Sequence, residues 1–520
     1  GLAALLLGAC TGPAPTPGPL ACSAVAQQAL PATRITQARL AAADDKLPEH
    51  CVVQGAINER TGVDGKPYAI GFELRLPSAW NGRFFYQGGG GNDGVLNPAI
   101  GRNTGALGAV DNALTRGFAV VSTDAGHRGT DASFGLDPQA RIDHAYNAHD
   151  QTALAAKKLI GHYYGRQPDK SYFVGCSGGG RQGMMFSQRF PSYFDGIVAV
   201  APAMRVAQGA SVSVAWSLKQ FTSVAPRDAS GRPVLSQAFS HADLALLARA
   251  VTEKCDAHDG LKDGLVSFPA ACRFDMSVLQ CPTGVQSASC LQPAQIEALE
   301  AHFNGPRNAA GEALYFPWPL DPGIASPGWR AWTLGTTTSG PSDARFLTLM
   351  AGAMGLEFIT PPDPAFDVLK FNFDTDPQRM AAFNRLYTTA DDVRLSAFKQ
   401  RGGKLLFAHG MADPIFSAKE MVDYYERLAA QHGGMEAAQS FSRLFLVPGM
   451  AHCSGGPATD AFDGLGAIVN WVEKGEAPAS LPARGSAALP GVNRPLCPYP
   501  QHTHYKGSGD VNAASSFVCR

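Results

Sequence analysis

The chain has 520 residues, 45% hydrophobic and 17% charged, with 43 basic residues against 44 acidic ones. A balance this close to zero leaves no electrostatic footprint for nucleic acid, and the apolar fraction is ample for a large globular core. No apolar run reaches the roughly 18 residues that a membrane-spanning helix needs.

The chain begins with "GLAALLLGAC", a short apolar run ending in small residues and Cys10, which has the character of a secretory signal's apolar region. Leu7-Gly8-Ala9-Cys10 has the form of a bacterial lipobox, and "TGPAPTPGPL" behind it reads as an extended tether. The other reading is an export signal cleaved elsewhere. The expectation is export from a bacterial cell, as an outer-membrane lipoprotein or a secreted or periplasmic protein, with membrane contact only through a lipid at Cys10. The eleven cysteines agree: an odd count in an exported chain leaves one unpaired, and ten without Cys10 allow five disulfides. Sequence alone does not fix the connectivity; proximity suggests Cys255–Cys272 and Cys281–Cys290.

Short β-rich runs then recur at 83–91, 118–126, 171–177, 196–203, 404–413 and 443–452, each ending in a loop with Gly or Asp. Near-continuous apolar runs suit parallel strands buried on both faces. Helical spacing at 145–165 and 418–434 separates several of them, so an α/β fold with a mostly parallel sheet flanked by helices is expected. Between about 204 and 391 the alternation breaks, and that stretch holds four of the six tryptophans and four of the cysteines. It is read as a large inserted lid domain. The expected division is tether 1–21, core 22–203, lid 204–391 and core again 392–520.

Gly175-Cys176-Ser177-Gly178-Gly179 follows one β run and precedes a helical pattern. Strand, tight turn and helix are the setting in which Gly-x-Ser-x-Gly presents a nucleophilic serine. A serine hydroxyl needs an adjacent base, and Asp413 and His452 end the last two β runs in the order Ser, Asp, His. Asp413 would orient the imidazole and His452 would carry the proton; His409, on the Asp413 loop, competes as base. Cys176 precedes the serine and Cys453 follows the histidine, so a serine and histidine within hydrogen-bond reach make these cysteines neighbours and a disulfide expected. For the oxyanion, the amides of Gly178 and of Gly91, in the Gly88–Gly91 run, are the candidates, with Gly90 beside them.

A serine and a histidine each adjoining a cysteine resemble the arrangement of the tannase and feruloyl esterase family, as do "RLFLVPGMAHCSGGP" and "RPLCPYPQ". The resemblance implies an α/β-hydrolase core, a lid with a calcium ion, no organic cofactor, and disulfides 22–51, 176–453, 255–272, 281–290 and 497–519. The acidic loop Asp256, Asp259 and Asp263 offers the hard oxygen ligands Ca²⁺ prefers, and the family pattern adds the carbonyls of Leu261 and Leu265. Phe371 and Phe416 match positions that touch the substrate ring in a family member that cleaves terephthalate esters, and Gly90 matches a serine in that member's oxyanion loop. Where that member has a carboxylate-binding arginine, a gapless match puts Asp367; where it has a lid tryptophan, Met354; and Gly178 stands where a glutamate is expected.

The expected protein is a serine carboxylesterase, acting as a monomer on small esters of aromatic acids through an acyl-enzyme. Terephthalate monoesters, hydroxycinnamoyl esters and galloyl esters are the candidates. A surface lipoprotein that kept the fold only as a binding module is the alternative from another class, and a peptidase has little support.

Overall fold

Three long N-terminal strands that apolar runs alone do not reveal open the fold: β1 (Thr33–Ala41), β2 (His50–Thr61) and β3 (Pro67–Pro77), paired antiparallel. The outermost strand, β1, has no buried residue, β2 is buried along most of its first eight residues, and β3 alternates only in its first half, so burial falls off toward the sheet's edge. The computed structural model describes residues 19–485 and 487–520, so the lipobox around Cys10 lies outside the described residues.

The expected runs then follow as β4 (Arg83–Gln87), β5 (Ala119–Thr123), α1 (Ala148–Tyr164), β6 (Lys170–Cys176), α2 (Gly178–Arg189) and β7 (Gly196–Val200). Later come β8 (Lys404–Gly410), α3 (Ala418–Gln431) and β9 (Ser442–Val447). All nine strands form one sheet in the order β1-β2-β3-β5-β4-β6-β7-β8-β9. The first two ladders, β1/β2 and β2/β3, and the join β3/β5 run antiparallel, while β5/β4 through β8/β9 are parallel. Strands β5 and β7 are buried along their whole length, which is why they read as unbroken apolar runs. The parallel ladders put the carboxyl ends of β4, β6, β8 and β9 on one edge, where ligands gather in open α/β sheets.

Between β7 and β8 the chain leaves the sheet. Its described elements are helices and turns, and its apolar side chains build a core of their own, with Leu218, Phe221, Phe239, Trp329 and Phe383 at the centre. That core continues without a break into Ile415 and Phe416 behind β8. Polar ties fasten the insertion to the sheet: Trp318 Nε1 donates to the Asp413 carbonyl at 2.9 Å, Ser417 Oγ to the Pro317 carbonyl at 2.6 Å, and Arg141 Nη2 to Thr360 Oγ1 at 2.8 Å. Disulfides join Cys22–Cys51, Cys176–Cys453, Cys255–Cys272, Cys281–Cys290 and Cys497–Cys519, the five pairs that the family resemblance implied.

Candidate active site

Strand β6 runs straight into α2, and Ser177 occupies the turn with φ 63° and ψ −124°. An L-residue at positive φ is strained, and here the surroundings hold it. The Ser177 amide donates to the Val200 carbonyl at 3.0 Å, and its own carbonyl accepts from the amides of Arg181 at 3.0 Å and Ala203 at 3.1 Å. The flanking glycines allow the close approach: a Cβ on Gly175 would lie 2.6 Å from the Gly179 carbonyl carbon, and one on Gly179 would lie 2.5 Å from the Gly89 oxygen.

Asp413 and His452 meet across the ends of β8 and β9. His452 Nδ1 lies 2.8 Å from Asp413 Oδ2, and the other carboxylate oxygen accepts from the amides of Ile415 at 2.9 Å and Phe416 at 3.1 Å. Burial pushes the Asp413 carboxyl up, but the facing His452 imidazole, by charge and hydrogen bond, with help from His409 and the Phe416 amide, holds it below the ordinary carboxylate range. His409 is fully buried; burial lowers its pKa, and its Nε2 sits 2.9 Å from the Phe416 carbonyl and 3.5 Å from Asp413 Oδ2. It therefore packs behind the carboxylate, away from the cleft, and does not stand as the base. His452 lines the cleft beside Ser177, and its Nε2 has no partner among the described residues. The Cys176–Cys453 disulfide, with Cα atoms 5.9 Å apart, ties the two loops directly.

In the loop after β4, three of the four glycine amides are committed. Gly88 donates to the Val174 carbonyl at 2.9 Å, Gly89 to Gln182 Oε1 at 3.0 Å, and Gly90 to Asp93 Oδ1 at 3.0 Å. Gln182 in turn donates to Asp93 Oδ2 at 3.2 Å, so one buried pair of polar side chains shapes the loop. Among the described residues the amides of Gly91, at φ 58°, and Gly178, at the start of α2, have no acceptor. Both glycines border the same space as Ser177, and α2 directs its N-terminus there.

Two spaces open from Ser177. The outer cleft, about 560 Å³, is lined by the Gly88–Gly91 loop, Asn103, Thr104 and His452, with the cations Arg102 and Arg345. The inner pocket is narrow, about 30 Å³, and largely apolar, with Met350, Phe358, Tyr387, Ile415 and Phe416 among its walls. Trp332 and Leu349 line both; the Trp332 ring stands 5.1 Å from the His452 ring, and the Arg345 guanidinium lies 5.2 Å from the Trp332 ring.

Of the expected substrate contacts, Gly90 lines the outer cleft and Phe416 the inner pocket. Phe371 does neither. It is 8% exposed and packs against Phe366 and Phe373 inside the insertion, with ring centroids 6.2 and 5.0 Å away. Asp367 also lies elsewhere, accepting from the Leu369 amide at 3.0 Å and facing exposed Lys370 at 3.5 Å, so it does not stand where an arginine would hold a substrate carboxylate. Met354 is wholly buried in the insertion's core. Residues that sequence reasoning passed over are Trp332, Arg345, Tyr387, His144 and Glu357; only Trp332 left a trace, in the tryptophan-rich character of the insertion.

Each of Asp256, Asp259 and Asp263 offers a carboxylate oxygen within 4.8 Å of the others. The loop's own amides orient them: Gly264 donates to Asp256, Leu261 and Ser267 to Asp259, and Leu265 to Asp263. Asp256 Oδ1 is buried without a partner, and burial raises the Asp259 carboxyl to about 6. Crowded, dehydrated carboxylates with a free oxygen fit a hard divalent cation. Arg494 Nη2 reaches Asp263 Oδ2 at 2.5 Å and ties this loop to the C-terminal segment.

Comparison with known proteins agrees with this geometry. The family model described as tannase and feruloyl esterase matches residues 51–520. The mono(2-hydroxyethyl) terephthalate hydrolase of Piscinibacter sakaiensis is 46% identical over 519 residues, covering 91% of this chain and 85% of its own. A probable feruloyl esterase of Arthroderma benhamiae is 31% identical, covering 88% and 83%. The crystal structure of an esterase from Aspergillus oryzae superposes with a TM-score of 0.80 at 25% identity, over 96% of this chain and 99% of that one.

Proposed function

Because the chain belongs to the tannase and feruloyl esterase family and is a carboxylic ester hydrolase, we propose that it cleaves esters of aromatic acids, with Ser177 as nucleophile. The observation that carries this reading is the free Nε2 of His452, held by Asp413 through Nδ1 beside Ser177 and two unsatisfied amides. Ser177 Oγ adds to the ester carbonyl as its proton passes to His452 Nε2. The Gly91 and Gly178 amides take the oxyanion, and the alcohol leaves with the proton from His452. Water then enters by the same route in reverse and releases the acid. The closed, aromatic inner pocket suits the ring of the acyl group, with Leu349 and Met350 parting to admit it, and the open outer cleft suits the departing alcohol. Trp332, from the insertion, caps both spaces, so the insertion acts as the lid.

Terephthalate monoesters, hydroxycinnamoyl esters and galloyl esters are the substrate classes in view. The relatives' names support the first two. In the lid, Asp256, Asp259 and Asp263 would hold Ca²⁺ with the carbonyls of Leu261 and Leu265, and the ion would supply structural bracing within the 255–272 loop. Five disulfides support an exported protein, and Cys10 is then the cysteine left to carry lipid.

A fluorophosphonate probe should label the wild type and leave Ser177→Ala unlabelled; a folded wild type that takes no label overturns the reading. A panel of p-nitrophenyl, terephthalate, ferulate and gallate esters should then show turnover of the aromatic-acid esters, and turnover of aliphatic esters alone overturns the substrate class.

A further inference from the structure

In the wall of the inner pocket stands a pair that the chemistry at Ser177 does not use. His144 Nδ1 lies 2.5 Å from Glu357 Oε1, their side chains 3% and 0% exposed, and both residues line the pocket. His144 comes from the core and Glu357 from the insertion, so the pair forms only when the two pack together. The second carboxylate oxygen, Glu357 Oε2, is buried and has no hydrogen-bond partner among the described residues. Leaving a charged oxygen unpaired in an apolar pocket is costly, and the cost is relieved by a donor brought in by a ligand.

The walls around the pair are built to an unusual plan. Four stretches with π-type helical turns are described, at Asp143–Asn147, Val206–Ala210, Phe346–Ala351 and Met354–Phe358, the second kinked at Gln208, whose φ −124° and ψ 18° are not helical. Each contributes to this pocket: His144 from the first, Val206 from the second, Leu349 and Met350 from the third, Glu357 and Phe358 from the fourth. π-Helical turns are rare and cluster at functional sites, because the extra residue per turn re-aims side chains at some cost in backbone geometry. Four of them converging on one small space is difficult to attribute to packing alone.

No Lys or Arg lines this pocket among the described residues. A second carboxylate on the acyl ring would therefore meet Glu357 with no cation in the lining except the His144 imidazole, which is already paired with Glu357 Oε1. A hydroxyl in the same place would donate to Glu357 Oε2 and satisfy it. We propose that His144 and Glu357 are the specificity-determining pair of the acyl pocket, in which His144 fixes the Glu357 carboxylate and Glu357 Oε2 accepts from a phenolic hydroxyl on the acyl ring. This rests on the aromatic-ester reading above and on the ring entering the inner pocket. The favoured acyl groups are then hydroxylated aromatic acids, and a ring bearing a second carboxylate is disfavoured beside this pair.

The test compares kcat/KM for methyl 4-hydroxybenzoate, methyl benzoate and monomethyl terephthalate, which differ only at the ring position opposite the ester. The wild type should prefer the hydroxylated ester over the unsubstituted one by about tenfold, the scale of one hydrogen bond to a charged group, and should turn over monomethyl terephthalate least. In Glu357→Gln the hydroxyl preference should shrink by about tenfold while the handicap of monomethyl terephthalate narrows. His144→Gln, which loosens the carboxylate's position, should move the same ratios by less. A wild type that prefers monomethyl terephthalate, or ratios unmoved in both variants, overturns the proposal while leaving the aromatic esterase intact. Failure to hydrolyse all three esters beside turnover of p-nitrophenyl acetate overturns both readings. If the variants do not fold, the order of the three wild-type rates decides the matter alone.

Discussion

On the sheet side of Ser177, every group placed to handle charge sits at the end of a strand or the start of a helix: the Gly91 and Gly178 amides, Asp413 after β8 and His452 after β9. On the other side the walls come mainly from the insertion, through Trp332, Arg345, Leu349, Met350 and Glu357. The first set is held by backbone hydrogen bonds and the Cys176–Cys453 disulfide, which leave little freedom. The second is held by side-chain packing on short, irregular helical turns. The difference teaches where change is cheap. A wall residue can be exchanged with little effect on the reacting atoms, whereas a shift of about 1 Å in the triad costs on the order of 100-fold in rate. A family built this way keeps one reaction and varies its acids.

The largest expected effect tests the sheet side. Ser177→Ala should lower kcat by roughly 10⁴–10⁶-fold on any ester substrate while circular dichroism and melting stay near wild type. A residual rate within tenfold of wild type would break the assignment. Next, Cys176→Ala/Cys453→Ala should lower kcat by about 10–100-fold before the core unfolds, because the bond holds the histidine loop against the nucleophile loop. Full activity in that double variant would show the backbone alone to be sufficient.

The two phenylalanines sharpen the contrast within the lid side. Phe416→Ala, in the inner pocket and 5.4 Å from the His452 ring, should cut kcat/KM for aromatic-acid esters by about tenfold or more relative to aliphatic ones. Phe371→Ala should instead lower the melting temperature, by a loss of about 3–5 kcal/mol, with that selectivity ratio unchanged. The reverse pattern would restore Phe371 as a substrate contact.

Chelation probes the bracing proposed for the insertion. Thorough EDTA treatment should lower the melting temperature by a few degrees, restored by Ca²⁺, and Asp259→Asn should abolish the difference. An unchanged melting curve would count against the ion.

The smallest effect concerns Asp321, which joins the two sides by accepting from the Gly323 amide at 2.7 Å and from Gly449, in the histidine loop, at 3.1 Å. Burial raises its carboxyl to about 6, against about 3.9 in an unfolded chain. The folded state then holds the proton more tightly, so this group's contribution to stability rises as pH falls from 6 to 4, and ionisation costs stability above about 6. Asp321→Asn should remove that component, flattening the wild type's melting temperature against pH in that window. An identical profile would show the group to be silent.

How far the site was legible from sequence follows the same division. The six strands that carry or support the proposed reacting groups announce themselves because each is a short apolar run, and all but the one at 196–203 lead into a Gly or Asp. The proposed triad could be read because a cysteine beside the serine and another beside the histidine limit which histidine can belong to which serine. The antiparallel edge β1–β3 escaped because polar and charged residues interrupt its apolar ones, as in TRITQARLA and HCVVQGAINERT, which is a fainter signal than an unbroken run. Phe371 and Asp367 were misplaced because their positions came from a gapless match through irregular helical turns. In such a stretch a slip of one residue turns a side chain about 100° round the axis, from the pocket into the core.

By itself, then, the amino-acid order determined the α/β class, the serine, aspartate and histidine proposed as the triad, the acidic loop proposed to hold a metal and, through the resemblance it carries, five cysteine pairs. These depend on local chemistry: a turn that only glycines permit, a strand end, a carboxylate spacing, a neighbouring thiol. Only the tertiary structure decided which glycine amides remain free, which way His409 faces, and that His144 meets Glu357 across 213 residues of chain. Those are outcomes of packing between distant segments, and no local pattern records which face of an irregular helix the rest of the molecule will cover.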